Sequence, residues 1–79
     1  MEKDPAEQAI TRAFGEFLSG IREAQALTQE DLAELADLDR TTVSRIERGI
    51  INPRLMTINK LAVALKDHFA DFFPCRAKP

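Results

Sequence analysis

A chain of 79 residues, 44% of them hydrophobic and 30% charged, has the composition of one small globular domain and not of a disordered segment. Its single cysteine, Cys75, excludes an intrachain disulfide, and its single histidine excludes a cysteine–histidine zinc site, so we expect no metal or other cofactor. Apolar runs are too short for a membrane span or a secretory signal, which favours a cytoplasmic protein, and the net charge of −2 argues mildly against a nucleic-acid partner.

Apolar residues recur at helical spacing through almost the whole chain, which predicts an all-α fold, and the first helix begins near Asp4. Asp4 can accept hydrogen bonds from free N–H groups, Pro5 suits the first helical position, and Glu7 stands where a capping box needs it. Gly15 and Gly20 weaken the helix by ~1 kcal/mol each relative to alanine and are candidates for close backbone approach. The apolar stripe of this helix, about five turns long, consists of Ile10, Ala13, Phe14, Phe17, Leu18, Ile21 and Ala24.

Two short helices follow, each with its own start signal. Thr28 caps the first of them, and Asp31 is placed to return the hydrogen bond near the positive end of the helix. Asp39 is the predicted cap of the next helix, and Gly49 ends it in the left-handed conformation.

The link between these two helices is only about three residues long, 37–39, and so short a link forces the steep crossing of a helix-turn-helix, here at about 29–48. Ala33 is small enough to lie where these two helices touch. In the third helix only Val43 and Ile46 are core-type residues. The other positions are polar, and packing does not explain them: Arg40, Thr41, Thr42, Ser44, Arg45 and Arg48.

The remainder of the chain predicts two more helices. Pro53 opens the fourth, and a short fifth runs from His68 to Phe73. The fourth helix carries the apolar residues Leu55, Ile58, Leu61, Ala62 and Leu65. We expect frayed ends at residues 1–4 and 75–79.

Two runs in this pattern are specific, because random helical bundles rarely contain both: Thr-Gln-Glu-Asp-Leu-Ala at 28–33 and Ser-Arg-Ile-Glu-Arg-Gly at 44–49. With them, the chain from Phe14 to Phe73 resembles the small phage repressor, Cro and Xre-type helix-turn-helix family. The run Leu-Asp-Arg-Thr at 38–41 is similar to restriction–modification controller proteins in particular. The resemblance implies a five-helix, lambda-repressor-like fold for a single DNA-binding domain, 1–79.

The resemblance also implies roles for individual residues. The pair Arg22 and Glu47 would form a structural salt bridge, which makes Glu47 a brace and not a repulsive charge at the DNA. The residues that would contact base edges are Arg40, Thr41, Ser44 and Arg45. Those that would contact the DNA backbone are Gln29, Arg48, Asn52 and Arg54, and Gln29 would also brace the recognition helix. Thr42 joins this group on its chemistry, because its hydroxyl can contact a phosphate.

Elementary chemistry agrees with this reading. Arginine can bind the O6 and N7 atoms of guanine with two hydrogen bonds, so Arg40 and Arg45 are the best candidates for base reading. The segment from Arg40 to Arg54 holds four arginines and one acidic residue, although the chain as a whole is acidic. Two plainer alternatives remain: the polar residues are an ordinary solvated face, and Arg22–Glu47 is an exposed pair worth ~0–1 kcal/mol.

Some positions depart from the family pattern. Asp37 stands where glycine is usual in the turn, although aspartate tolerates the left-handed conformation. Lys66 stands before the last helix, where a glycine-led turn is common. Ile50 and Ile51 replace residues that are often basic or polar, so we expect weaker binding of DNA phosphate at this loop.

The main functional hypothesis is a sequence-specific transcriptional regulator that inserts its third helix into the major groove of double-stranded DNA. Because one recognition helix reads only a few base pairs, we expect a homodimer on a palindromic operator. Three surplus phenylalanines at the C-terminal end are the predicted dimer interface: Phe69, Phe72 and Phe73. With no second domain expected, regulation would follow the monomer–dimer equilibrium.

The alternative is an antitoxin-type module that masks a toxin partner and represses its own operon, with Ile50 and Ile51 as its exposed surface. Activation of transcription would need a surface for RNA polymerase, and no residue indicates one. An enzyme is disfavoured, because the sequence has no nucleophile–base pair, no phosphate-binding glycine loop and no metal cluster.

Overall fold

The computed structural model describes residues 4–66, which form four α-helices and no strand. The helices are α1 (Pro5–Ala24), α2 (Gln29–Ala36), α3 (Arg40–Glu47) and α4 (Leu55–Ala64). The predicted all-α helix-turn-helix architecture is confirmed. The predicted fifth helix, His68–Phe73, and the tail 75–79 lie outside the described residues.

The helix starts follow the sequence signals in part. At α1, Asp4 accepts a hydrogen bond from the backbone N–H of Ala6 at 3.0 Å, but Glu7 makes no return bond, so the predicted capping box is absent. Asp39 is at the N-cap of α3, yet its side chain makes no capping hydrogen bond. The fourth helix begins at Leu55 and not at Pro53, because Arg54 is still extended, with ψ of 156°.

The start of α2 has the complete reciprocal cap that the sequence predicts. The backbone N–H of Asp31 donates to Thr28 Oγ1, and the backbone N–H of Thr28 donates to Asp31 Oδ2, both at 3.0 Å. The hydrogen bond from the Thr28 backbone is the main reason that the pKa of Asp31 lies below its usual value.

A prediction about pH follows from this cap. A carboxylate whose pKa is lowered by folding stabilises the folded state above its unfolded pKa, here about 3.8, and that contribution is lost as the pH falls below it. We therefore expect Asp31→Asn to reduce the drop in melting temperature between about pH 5 and pH 3. Glu34→Gln, on the exposed side of the same helix, is the control. Identical acid profiles for the two variants would contradict the role of Asp31.

A left-handed residue follows each of the four helices, and after α3 it is Gly49, as the sequence predicts, with φ 73°. Asp37 adopts φ 58° and ψ 49° after α2, and the next backbone N–H, that of Leu38, returns to the carbonyl of Ala33 at 2.8 Å. Lys66 has φ 58° after α4, and Ala26 has φ 59° after α1. The turns that are often led by glycine in the family are thus made here with side chains present, at some conformational cost.

The core lies where α3 packs on α1 and α2, and where α4 packs on α2. Its fully buried side chains are Leu18, Leu32, Val43, Ile46, Leu61 and Leu65. Ile10 and Leu55, which belong to the predicted apolar stripes, are instead exposed. No helix within residues 4–66 combines the length and the apolar character needed to cross a bilayer.

The backbones of α1 and α3 approach closely at Gly15. A methyl group at Gly15 would collide with the backbone carbonyl of Ile46 and lie 2.6 Å from the carbonyl oxygen of Glu47. Gly20, on the same helix, has nothing within 4 Å, so only one of the two glycines marks a close contact. The absence of a side chain at Gly15 therefore allows α1 and α3 to pack this closely.

Candidate nucleic-acid interface

The third helix has an apolar face and a polar face. Val43 and Ile46 are buried, and they attach the helix to the core. By helical geometry, the other side carries the four predicted base-contacting residues together with one predicted backbone contact. Arg40, Thr41, Arg45 and Arg48 are exposed there and Ser44 is half-buried.

A groove of about 310 Å³ lies between α3 and the segment that leads into α4. Three of the predicted backbone-contacting residues line it: Thr42, Asn52 and Arg54. The structure therefore brings these three together beside the polar face of α3. Thr57, which we had not assigned to the site, also lines the groove.

Glu47 faces inward and joins three helices. Arg22 Nε donates to Glu47 Oε2 at 2.7 Å, and Arg22 Nη2 donates to Oε1 at 3.1 Å. Gln29 Nε2 donates to the same Oε1 at 3.0 Å. These bonds link α1, α2 and α3 beneath the polar face, so the single acid of α3 does not project toward a ligand of that face.

The ion pair is largely removed from solvent, with 11% of the Arg22 side chain and 5% of the Glu47 side chain exposed. Arg22 Nη1 also donates to the carbonyl of Leu27 at 2.7 Å. The hydrogen bond with Glu47 is the largest reason that the pKa of Arg22 is raised, and burial opposes it. Removal of either residue is expected to destabilise the folded protein, because the remaining charge would be buried without a partner.

The sequence predicted only part of the role of Gln29 in this network. The resemblance implied a phosphate contact and support of α3, whereas the structure adds the specific bond to Glu47. A primary amide nitrogen donates two hydrogen bonds, so one donor of Gln29 remains for a ligand. Its contact with DNA stays a prediction.

Charge is polarised around α3. Among residues 4–66 the only ion pairs involve Arg22, so Arg40, Arg45, Arg48 and Arg54 all have uncompensated guanidinium groups. Arg40, however, also borders a second groove, of about 430 Å³, whose other lining residues include Glu30, Asp31, Glu34 and Asp39. The acidic side of α2 therefore reaches the N-terminal end of α3, and Arg45 lies in the more favourable environment for an anionic ligand.

The general model of the helix-turn-helix family matches residues 18–69, more than half of the chain. The chain belongs to the helix-turn-helix family.

Two curated relatives of this helix-turn-helix protein carry regulatory names. It is 36% identical over 67 residues to the HTH-type transcriptional regulator PuuR of Escherichia coli (strain K12), a match that covers 85% of this chain and 36% of PuuR. It is 43% identical over 51 residues to the immunity repressor protein of Bacillus phage phi105, covering 65% of this chain and 35% of the repressor. The chain thus spans about a third of either relative.

This chain also matches a solved structure, over nearly the whole length of the chain in that structure. The restriction-modification controller protein C.AhdI from Aeromonas hydrophila is 43% identical, with a TM-score of 0.81, and the match covers 82% of this chain and 98% of C.AhdI. The predicted likeness to phage repressors and controller proteins is confirmed by these relatives.

Proposed function

We propose that this protein is a transcriptional regulator that reads double-stranded DNA by placing α3 in the major groove. The observation that carries the proposal is the division of α3 between Val43 and Ile46, which are buried, and an exposed polar face. That face holds three guanidinium groups without ion pairs among the described residues. The major groove of B-DNA, ~12 Å wide, admits one such helix.

Two kinds of DNA contact follow from the positions of the side chains. Arg40, Thr41, Ser44 and Arg45 read base edges, since they share the outward face of α3. Arg48, at the end of this face, and the residues beside it hold phosphate and set the register of the helix: Gln29, Thr42, Asn52 and Arg54. The names of PuuR, the phi105 immunity repressor and C.AhdI support regulation of transcription as the purpose of this binding.

Selection of bound duplexes from a random pool tests the proposal directly, because it returns the operator and its symmetry. With that operator, we expect Arg45→Ala and Arg40→Ala to weaken binding by ~1–3 kcal/mol and to relax preference at defined base pairs. Arg54→Ala is the comparison: it should weaken binding to all sequences and make the salt dependence shallower by about one. Unchanged base preference in both α3 variants would exclude this helix as the reader.

We further propose that the protein binds a palindromic operator as a homodimer, with half-sites ~34 Å apart. Support comes from the outer face of α4, where Leu55, Met56 and Val63 are 63%, 64% and 68% exposed. Their spacing places all three on one side of the helix, away from the buried Leu61. Leu55 was predicted to lie in the core, and the residues predicted for the interface, Phe69, Phe72 and Phe73, lie outside the described residues.

Sedimentation tests the dimer. Val63→Asp is expected to convert the dimer to a monomer, because a carboxylate in an apolar interface loses its hydration, and Phe72→Asp should act in the same way. Leu35→Asp is the matched control, since Leu35 is a similarly exposed apolar residue, 59% exposed, on α2. If Val63→Asp sediments with the mass of the wild-type dimer, α4 is not part of the interface.

A further inference from the structure

We propose that Arg12, on the first half of α1, is an additional phosphate-binding residue of the DNA surface. The proposal rests on the proposed function and extends it to a part of the chain that the family model does not match. That model begins at residue 18, whereas α1 begins at Pro5, so more than three turns of α1 precede the matched segment.

The first half of α1 contacts the turn that follows α3. Thr11 Oγ1 donates to the carbonyl of Gly49 at 3.0 Å. Gly49 has φ 73°, and a methyl group there would lie 2.8 Å from the Cα atom of Arg12 and 3.1 Å from its backbone nitrogen. Backbone contact therefore places Arg12 against the residue that follows Arg48.

Both arginines at this contact are available for a ligand. The side chains of Arg12 and Arg48 are exposed, and neither forms an ion pair within residues 4–66. Glu16, one turn beyond Arg12, is the carboxylate on α1 best spaced to neutralise it, and the two are not within ion-pair distance. Arg12 thus lies at this backbone contact and Arg48 one residue from it, both without an ion pair among the described residues. Guanidinium binds phosphate oxygens with two parallel hydrogen bonds.

A purely structural alternative exists for the same geometry. A cation near the C-terminal end of a helix stabilises the partial negative charge of its last carbonyls. In that case Arg12 would act on α3 alone, and its removal would lower the melting temperature without changing how DNA binding depends on salt.

The salt dependence of DNA binding separates the two roles, because each phosphate neutralised by a cation contributes ~0.9 to the slope of log K against log salt concentration. We expect Arg12→Gln to make the slope shallower by about 0.9 per protomer, equally on the selected operator and on a scrambled duplex. Arg12→Lys keeps the charge and should keep the slope. Lys66→Gln removes the same charge at the exposed end of α4 and should also leave the slope unchanged.

Thermal melting of the same variants completes the test. Retention of the wild-type melting temperature by Arg12→Gln, together with the shallower slope, supports the proposal. A wild-type slope for Arg12→Gln, with or without a lower melting temperature, overturns it while the proposed function stands. Failure of the wild-type protein to bind either duplex overturns the proposed function and this proposal together.

Discussion

Replacement of Glu47 with alanine is expected to lower the free energy of unfolding by about 3–5 kcal/mol, because it leaves a buried arginine charge without its partner. Arg22 is only 11% exposed and would lose two hydrogen bonds to the carboxylate. Gln29 would lose its partner at the same time. For a chain of this length the loss corresponds to at least ~12 °C in melting temperature.

The same arginine provides the control for this prediction. Glu23 also lies near Arg22, at 3.7 Å from Nη2, but it is 68% exposed. Exposed pairs contribute ~0–1 kcal/mol, so Glu23→Ala should change the melting temperature little. Equal effects of Glu47→Ala and Glu23→Ala in thermal unfolding would show that burial of the pair does not matter.

A double variant checks the cause of the loss. Replacement of both Arg22 and Glu47 by apolar residues removes the uncompensated charge, so Arg22→Met combined with Glu47→Leu should be more stable than Glu47→Ala alone. We expect base preference, measured on the selected operator under folding conditions, to change less than stability, because Glu47 faces the core and not the polar face of α3.

The second large effect is expected at Gly15. Alanine there places a methyl group against the carbonyls of Ile46 and Glu47, and neither can move aside, since both belong to the backbone of α3. Overpacking of this kind costs typically 1–3 kcal/mol and occasionally more, against a gain of about 0.5–1 kcal/mol from the better helix former. Because the collision is with backbone atoms, the cost lies at the upper end of that range, about 3 kcal/mol, and we expect a net destabilisation of about 2 kcal/mol in chemical or thermal unfolding.

Gly20 is the matched control, because it lies on the same helix with nothing within 4 Å of an added methyl group. Gly20→Ala should stabilise the protein by about 0.5–1 kcal/mol through helix propensity alone. The two substitutions are chemically identical, so their opposite signs isolate the crossing of α1 and α3. Similar stabilities for both variants would mean that α1 does not approach α3 so closely.

Features that depend on a few neighbouring residues were predictable. The cap of α2 needs only Thr28 and Asp31, three residues apart, and both of its hydrogen bonds form. The left-handed conformation of Asp37 was expected from the family resemblance, because glycine is usual at this turn and aspartate tolerates the same geometry. At Asp39 the residue type was right for a cap, but the side chain makes no such bond, since residue preference does not determine a rotamer.

Features that depend on distant segments were predictable only where the family resemblance supplied them. Arg22 and Glu47 are 25 residues apart, and no local pattern pairs them. The exposure of Leu55 likewise could not be predicted from helical periodicity. The spacing of apolar residues identifies the apolar face of a helix, but it does not show whether another helix covers each residue of that face.

The order of residues along the chain was enough to predict the four helices within residues 4–66, their approximate ends, the short turn at 37–39 and the polar character of α3. Spacing and capping act over one or two turns and can be read without knowledge of the fold. The tertiary structure alone decided which of two glycines meets another backbone, that Gln29 bonds to Glu47, and that Arg12 lies beside Gly49. These contacts arise when helices distant in sequence pack at a particular angle, and that angle is set by all the buried side chains together.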